Sequence, residues 1–294
     1  MFTKSFEPSA AQGPNADQIR FWNDNGGPTW ARLQPQLSIQ LQPFGEMVLA
    51  AAQVQPGERV LDVGCGGGDT TRAVAKQVGP TGRVTGMDIS EALLTVADRR
   101  LREEGHTNAQ LVLADAQTAE VPVGAYDIVM SRFGVMFFAD PVAAFQNLAR
   151  ALVPGGRLAF VCWRAPHENE WFHVPLSATA KHVPITPMDP YAPGPCALAD
   201  EKRTARILSD AGFTEVQLTR TDHPVSLGGA RSLDEAVEFL LQVGPAARAL
   251  REAGEAYIAP VSQAIRDAVK PYSTGEGVAL GGSVWVVTAR KPAQ

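Results

Sequence analysis

Four glycines fall within five positions in "RVLDVGCGGGDTTRAVA" (residues 59–75), between an apolar run and a helical pattern. Glycine buries little and costs backbone entropy, so such a cluster marks a tight turn or a ligand lying against main chain. An apolar strand that ends in Gly64, Gly66 and Gly68 and runs straight into a helix leaves backbone N–H groups free at the turn. Two acids sharpen this reading. Asp88 ends a second strand candidate, "VTGMD", 20 positions after Gly68, where a carboxylate can accept hydrogen bonds from both ribose hydroxyls of a nucleoside. Asp115 ends a third, "LVLAD", where it can receive an exocyclic amino group of adenine. Ligands of open α/β sheets bind beyond the carboxyl ends of the strands, and three successive strands end here in a glycine turn or an aspartate.

The elements that must position these groups are legible from periodicity. Strand-like runs "RVLDV", "RVTGMDI", "AQLVLAD", "YDIVMS" and "RLAFVCW" alternate with helical patterns between Arg59 and Trp163, as βα units on a parallel sheet do. Asp140 and Pro141 read as N-cap and first position of one of the helices, and Pro154-Gly155-Gly156 as its stop. Residues 15 to 53 read as helices beside the sheet, and a helix is expected near Asp200 to Ala211. "TEVQLTRT" and "SVWVVTAR" read as late strands flanking a helical stretch from Ser232 to Val269. The expected architecture is α/β: a Rossmann-like, seven-stranded, mostly parallel sheet with helices on both faces. A helical N-terminal segment and a helical insertion before the last strand complete it. The expected division is an N-terminal helical cap (1–53), a cofactor-binding core (54–163), and a lid loop with insertion and final strands (164–294).

A dinucleotide fingerprint requires G-x-G-x-x-G, and Asp69 stands where its third glycine would be, so NAD is disfavoured. The pattern from Asp62 to Gly68 is instead D-x-G-x-G-x-G. Together with Asp88, Asp115, "YDIVMSRFGVMFF" and "LVPGGRLAF" it resembles the class I S-adenosylmethionine-dependent methyltransferases, over roughly residues 45 to 163. More narrowly it is similar to the branch containing ubiquinone and menaquinone C-methyltransferases. The resemblance implies that Asp62 helps hold the methionine amino group and that Gly64, Gly66 and Gly68 line the cofactor. It further implies that Asp88 with Ile89 takes the ribose, Asp115 with Ala116 the adenine, and Ser131 the methyl end. It also implies a last strand that runs antiparallel beside the sixth. Trp30, with Trp22, is expected on an N-terminal helix closing over the cofactor.

Two residues are candidates for the chemistry itself. Arg132 is expected to bind an anionic substrate group, and His173 in "WRAPHENEWFHVP" to act as a base beside Trp171 and Phe172. A sulfonium donor needs mainly a well-placed acceptor, so a base matters only where the acceptor arrives protonated. His223 has the weaker claim. The segment 164–195 is expected to form a mobile cover, because Pro184, Pro187, Pro190, Pro193 and Pro195 oppose regular structure.

Composition bounds the partners. Among 294 residues, 26 basic and 31 acidic side chains give a net charge of -5 with no basic stripe, so nucleic acid is not an expected partner. No apolar run approaches the ~20 residues that span a bilayer, and the N-terminal stretch lacks the apolar core of a signal peptide. Cys65, Cys162 and Cys196 lack CxxC spacing, which suggests reduced thiols, a cytoplasmic location and no zinc site. The expected partner is a small-molecule acceptor, and a homodimer is allowed. Two alternatives remain open at this point: an NAD-type oxidoreductase and a non-catalytic member that only binds S-adenosylmethionine.

Overall fold

The computed structural model describes residues 2–5, 7, 11–187 and 189–293. Parts of the first ten residues of the expected cap, and Met188 within the expected cover, lie outside them.

A two-residue strand β1 (Thr3–Lys4) precedes three helices, α1 (Ala16–Asp24), α2 (Gly26–Arg32) and α3 (Gln34–Ala52). The βα units follow: β2 (Arg59–Val63), α4 (Asp69–Val78), β3 (Arg83–Asp88), α5 (Glu91–Glu103), β4 (Ala109–Leu113), β5 (Tyr126–Arg132), α6 (Pro141–Ala151) and β6 (Leu152–Trp163). The later part holds α7 (Glu170–Thr179), α8 (Glu201–Asp210) and β7 (Thr214–Ser226). Helices α9 (Leu233–Leu240), α10 (Pro245–Ala253) and α11 (Ile258–Val269) lead to the short β8 (Ser273–Thr274) and the long β9 (Gly277–Arg290).

The strand order is β1-β4-β3-β2-β5-β6-β9-β7, with β8 paired to β9. Strands β2 to β6 are parallel, whereas β9 runs antiparallel to both β6 and β7 and lies between them. The seven strands expected along the chain are all present, with two additions of two residues each, β1 and β8, and the last long strand lies antiparallel beside β6 as the resemblance implied. The chain reverses direction of strand order on either side of β2, so the carboxyl ends of β2, β3 and β5 meet at a switch point where a ligand crevice forms.

Buried Val60, Leu61, Ile128, Val129, Phe160 and Val161 are near-continuous apolar runs, as expected for strands covered on both faces. The N-cap reading of Asp140 holds, because its Oδ1 accepts from the Ala143 amide at 3.0 Å. The expected lid loop differs. Residues 170–179 form a helix despite Pro175, because Trp171, Phe172, Pro175, Ala178 and Thr179 recur on one buried face. That face packs against α10 and α11, and this burial outweighs the helix-breaking proline. The longest irregular stretch of the expected cover is the proline-rich part after Thr179.

Candidate functional site

The four glycines do four different things. Gly64 (φ +67°) backs onto another backbone, since a Cβ there would lie 2.5 Å from Gly134 Cα. Gly68 (φ +84°) caps α4, and a Cβ would meet Ala97 of α5 at 2.9 Å. Gly67 faces the Gln34 amide. Only Gly66, at φ +54°, has nothing within 4 Å of where a side chain would begin. Among the four, the open approach to the backbone belongs to Gly66 alone.

Around Gly66 stand the acids. Asp62 at the end of β2 is fully buried; its Oδ2 accepts from the Thr70 and Thr71 hydroxyls, each at 2.6 Å. Its Oδ1 has no hydrogen-bond partner, although it is buried. Burial raises the Asp62 pKa, opposed by the two threonine hydroxyls and the charge of Arg132. Asp88 ends β3, where its Oδ2 accepts from the Gly66 amide and its Oδ1 from the Ser90 amide, both at 2.8 Å. Burial pushes its carboxyl up from 3.8 to about 6 against those backbone donors. Asp115 follows β4; its Oδ1 accepts from the Asn15 side chain and the Gln117 amide, both at 2.9 Å, and its Oδ2 from the Thr118 hydroxyl at 3.1 Å. Ala116 is buried beside it, its carbonyl held at 3.0 Å by Asn147.

Ser131 and Arg132 at the end of β5 are both engaged by protein. The Ser131 hydroxyl donates to the Val63 carbonyl at 2.7 Å and accepts from the Gly134 amide, which ties β5 to the glycine turn. Arg132 reaches Asp69 at 3.3 Å and the Leu41 carbonyl. Asp69 also meets Arg100 at 2.7 Å and the Ser38 hydroxyl at 3.0 Å. Burial of Asp69 would raise its pKa, but Arg132 and Arg100 outweigh it and hold the carboxyl below its usual range. The charge expected to meet a substrate anion therefore meets a carboxylate of the protein. This cluster flanks a cavity of ≈ 320 Å³ between α3 and α4. A larger one, ≈ 680 Å³, lies between residues 117–123 and α6, and none of Asp62, Gly66 or Asp88 lines it.

Phe133 continues from β5 in the left-handed region at φ +65°, a conformation a bulky residue adopts only under constraint. The constraint is aromatic. Its ring stacks on Trp163 at 4.4 Å, and Phe44 meets both edge-on. Trp171 and Phe172 pack on Trp163 from α7. His223 of β7 approaches Phe44 at 5.8 Å. Sequence spacing gave His223 only the weaker claim; the antiparallel pairing of β7 with β9 brings it beside Phe44. His173 bonds back to the Asn169 carbonyl at 3.2 Å through Nδ1, at the start of its own helix.

The N-terminal helices close one side. Trp22 touches Trp30 and Phe137 edge-on, and α2 passes so near Ser90 that a Cβ on Gly27 would collide with its hydroxyl at 2.2 Å. Asn23 donates to the Ile89 carbonyl at 2.8 Å and accepts from the Glu91 amide. Three amide side chains missed by sequence reasoning, Asn15, Asn23 and Gln34, thus fasten the cap to the strand ends.

Residues 60–156 match a protein family described as methyltransferase domain. The chain is 35% identical over 137 residues to the aklanonic acid methyltransferase DauC of Streptomyces sp. (strain C5), covering 47% of this chain and 61% of that protein. It is 31% identical over 148 residues to a demethylmenaquinone methyltransferase of Listeria welshimeri, covering 50% of this chain and 63% of the relative. It thus spans less than two thirds of these curated relatives. Among solved structures, the YcgJ protein of Bacillus subtilis has a TM-score of 0.57 at 18% identity, over 85% of this chain and 99% of that one. The [4+2]-cyclase SpnF has 0.53 at 23% identity, over 86% and 82%. These last two likenesses speak to the fold.

Proposed function

We propose that this chain is a class I S-adenosylmethionine-dependent methyltransferase of the kind found in the quinone C-methyltransferase branch, and that it methylates a small, ring-containing acceptor of the quinone or polyketide kind; the methyltransferase-domain match over residues 60–156 and the two relatives above support this. The observation that carries the reading is the open space at Gly66, set between the unpartnered Asp62 oxygen and the Asp88 carboxylate. A buried acceptor without a donor costs ~1–3 kcal/mol, a cost that a bound ammonium group removes. The residues fit S-adenosylmethionine: Asp62 toward the amino group, Gly66 against the chain, Asp88 toward the ribose and Asp115 toward the adenine. When bound, that cofactor supplies a methyl group on a sulfonium, already activated for displacement.

The chain's own contribution is placement and exclusion of water. Phe133 and Trp163, stacked on each other with Phe44 against both, form a buried aromatic cluster that continues from the end of β5, and His223 adds a titratable ring to it through Phe44; we read this cluster as the apolar side of the acceptor site. His173 and Arg132 are proposed to position rather than to react. His173→Ala is expected to leave turnover within about tenfold of wild type, whereas a drop of roughly 100-fold or more would restore it as a general base. The further reading is of a cytoplasmic protein that does not engage nucleic acid and that can pair as a homodimer; the three cysteines are free thiols, and no described helix is long and apolar enough to cross a membrane.

S-adenosylhomocysteine at about 100 times its Kd should add roughly 2.7 kcal/mol to stability and raise Tm by about 5 °C or more. NAD should not, because Asp69 fills the third-glycine position and is committed to Arg72, Arg100 and Arg132. A shift with NAD alone reverses the cofactor assignment. Transfer of labelled methyl to a hydroquinone such as menadiol, or to an aromatic polyketide, tests the acceptor class. Cofactor binding without transfer to any of them favours a non-catalytic member.

A further inference from the structure

Asn15 lies just before α1 and is 4% exposed, yet its side chain makes no capping bond to that helix. Its Nδ2 instead donates to Asp115 Oδ1 at 2.9 Å, and its Oδ1 accepts from the Ala139 amide at 2.8 Å. One buried amide therefore bridges the loop after β4 and the corner before α6, from a segment one hundred residues away in sequence.

The bridge dictates how Asp115 can be used. An ionised carboxylate has about four acceptor sites, two on each oxygen. Oδ1 is filled by Asn15 and the Gln117 amide, whereas Oδ2 holds only the Thr118 hydroxyl. One site remains, and it is on Oδ2. The other members of the loop are also fixed: Asn147 holds the carbonyls of Ala116 and Ala119, and Gln117 accepts from the Asp140 amide at 3.0 Å. The carboxylate cannot turn without breaking bonds to both Asn15 and Gln117.

We infer that Asn15 is a positioning residue for base recognition: by occupying Oδ1 it presents Asp115 Oδ2 as a single, oriented acceptor for the amino group at position 6 of a purine. The N-terminal strap thus sets which base the site accepts, in addition to covering it. This rests on the nucleoside reading of the site given above.

An amino group at that position donates to the carboxylate, and an oxo group presents a second acceptor to it. Wild type should therefore bind S-adenosylhomocysteine at least tenfold more tightly than S-inosylhomocysteine, measured by isothermal titration. In Asn15→Ala the carboxylate keeps the Gln117 amide and the Thr118 hydroxyl but loses one of its two Oδ1 donors, so Oδ1 can take a water and compete with Oδ2 for the base; the preference should shrink to about threefold or less, chiefly through weaker binding of the adenosyl ligand. The ratio of the two affinities, taken on one preparation, does not depend on the fraction of folded protein. A merely structural role would weaken both ligands together and leave the ratio unchanged, which overturns the inference. Tighter adenosyl binding in the variant overturns it too, because Asn15 would then be a competitor. If Asn15→Ala does not fold, Asn15→Leu carries the same test, since it keeps most of the side-chain volume and removes the donor to Asp115 without adding a charge. Failure of wild type to bind either ligand would instead sink the nucleoside reading itself.

Discussion

Asp88→Ala is expected to lower the affinity for S-adenosylhomocysteine by roughly ten- to a hundredfold, the loss of charge-assisted hydrogen bonds worth about 1.5 to 3 kcal/mol at about 1.4 kcal/mol per tenfold. The same carboxyl gives the wild-type protein a pH signature. Ribose hydroxyls donate, so they need the ionised form, and burial raises this group to about 6. Between pH 7.5 and pH 5 the carboxylate fraction falls about tenfold, and affinity should fall with it by up to that factor. In Asp88→Ala the dependence should flatten. Stability of the free protein runs the other way. Because the folded state binds the proton more tightly, the contribution of Asp88 is fully present below about 3.8 and is lost as pH rises through about 6. Isothermal titration of both proteins at the two pH values, with melting curves of the free forms, reads both slopes. Equal affinity in variant and wild type would remove Asp88 from the ribose, and a flat wild-type profile would remove its raised ionisation.

Gly66→Ala and Gly64→Ala should separate binding from folding, although the two residues are two positions apart and both have positive φ. At Gly66 the added methyl meets no protein atom within 4 Å, so the cost is the left-handed backbone alone, about 1–2 kcal/mol. The methyl fills the space assigned to the ligand, and cofactor affinity should drop by about 100-fold or more. At Gly64 the methyl meets the Gly134 backbone at 2.5 Å, and Gly134 is itself locked by Ser131 and by the Val63 carbonyl 2.6 Å from its own missing Cβ. Overpacking of that kind costs roughly 1–3 kcal/mol beyond the backbone strain, so Gly64→Ala should melt well below Gly66→Ala. Chemical denaturation and S-adenosylhomocysteine titration of the pair decide it. Normal binding by a folded Gly66→Ala would show that the gap is not where the ligand lies.

Local chemistry made much of the site readable. Strand-end aspartates, the glycine turn and the β-branched runs each declare themselves within a few residues, because strand burial and turn geometry are short-range constraints. The helix at 170–179 was hidden for the opposite reason. Its Pro175 and the prolines that follow it from Pro184 to Pro195 argue locally for a loop, and only the partners α10 and α11, supplied from distant sequence, make burial of Trp171 and Phe172 decisive. Arg132 was legible as a charge beside the site but not as a spent one, since Asp69 meets it only after β5 and α4 are placed.

The sequence by itself determined the succession of strands along the chain, the three acids at their ends and the kind of cofactor those acids suit. Periodicity and turn chemistry act through neighbours along the chain, so they survive without coordinates. Tertiary structure alone decided which of four glycines is open, which oxygen of Asp115 is spare, and that Asn15, an ordinary helix-capping type by its position, reaches across to fill the other. It likewise brought Phe44, Phe133, Trp163 and His223 into one aromatic cluster. These are contacts between residues far apart in sequence, fixed by packing that no local pattern encodes, and they select within a site whose chemistry was already written in the chain.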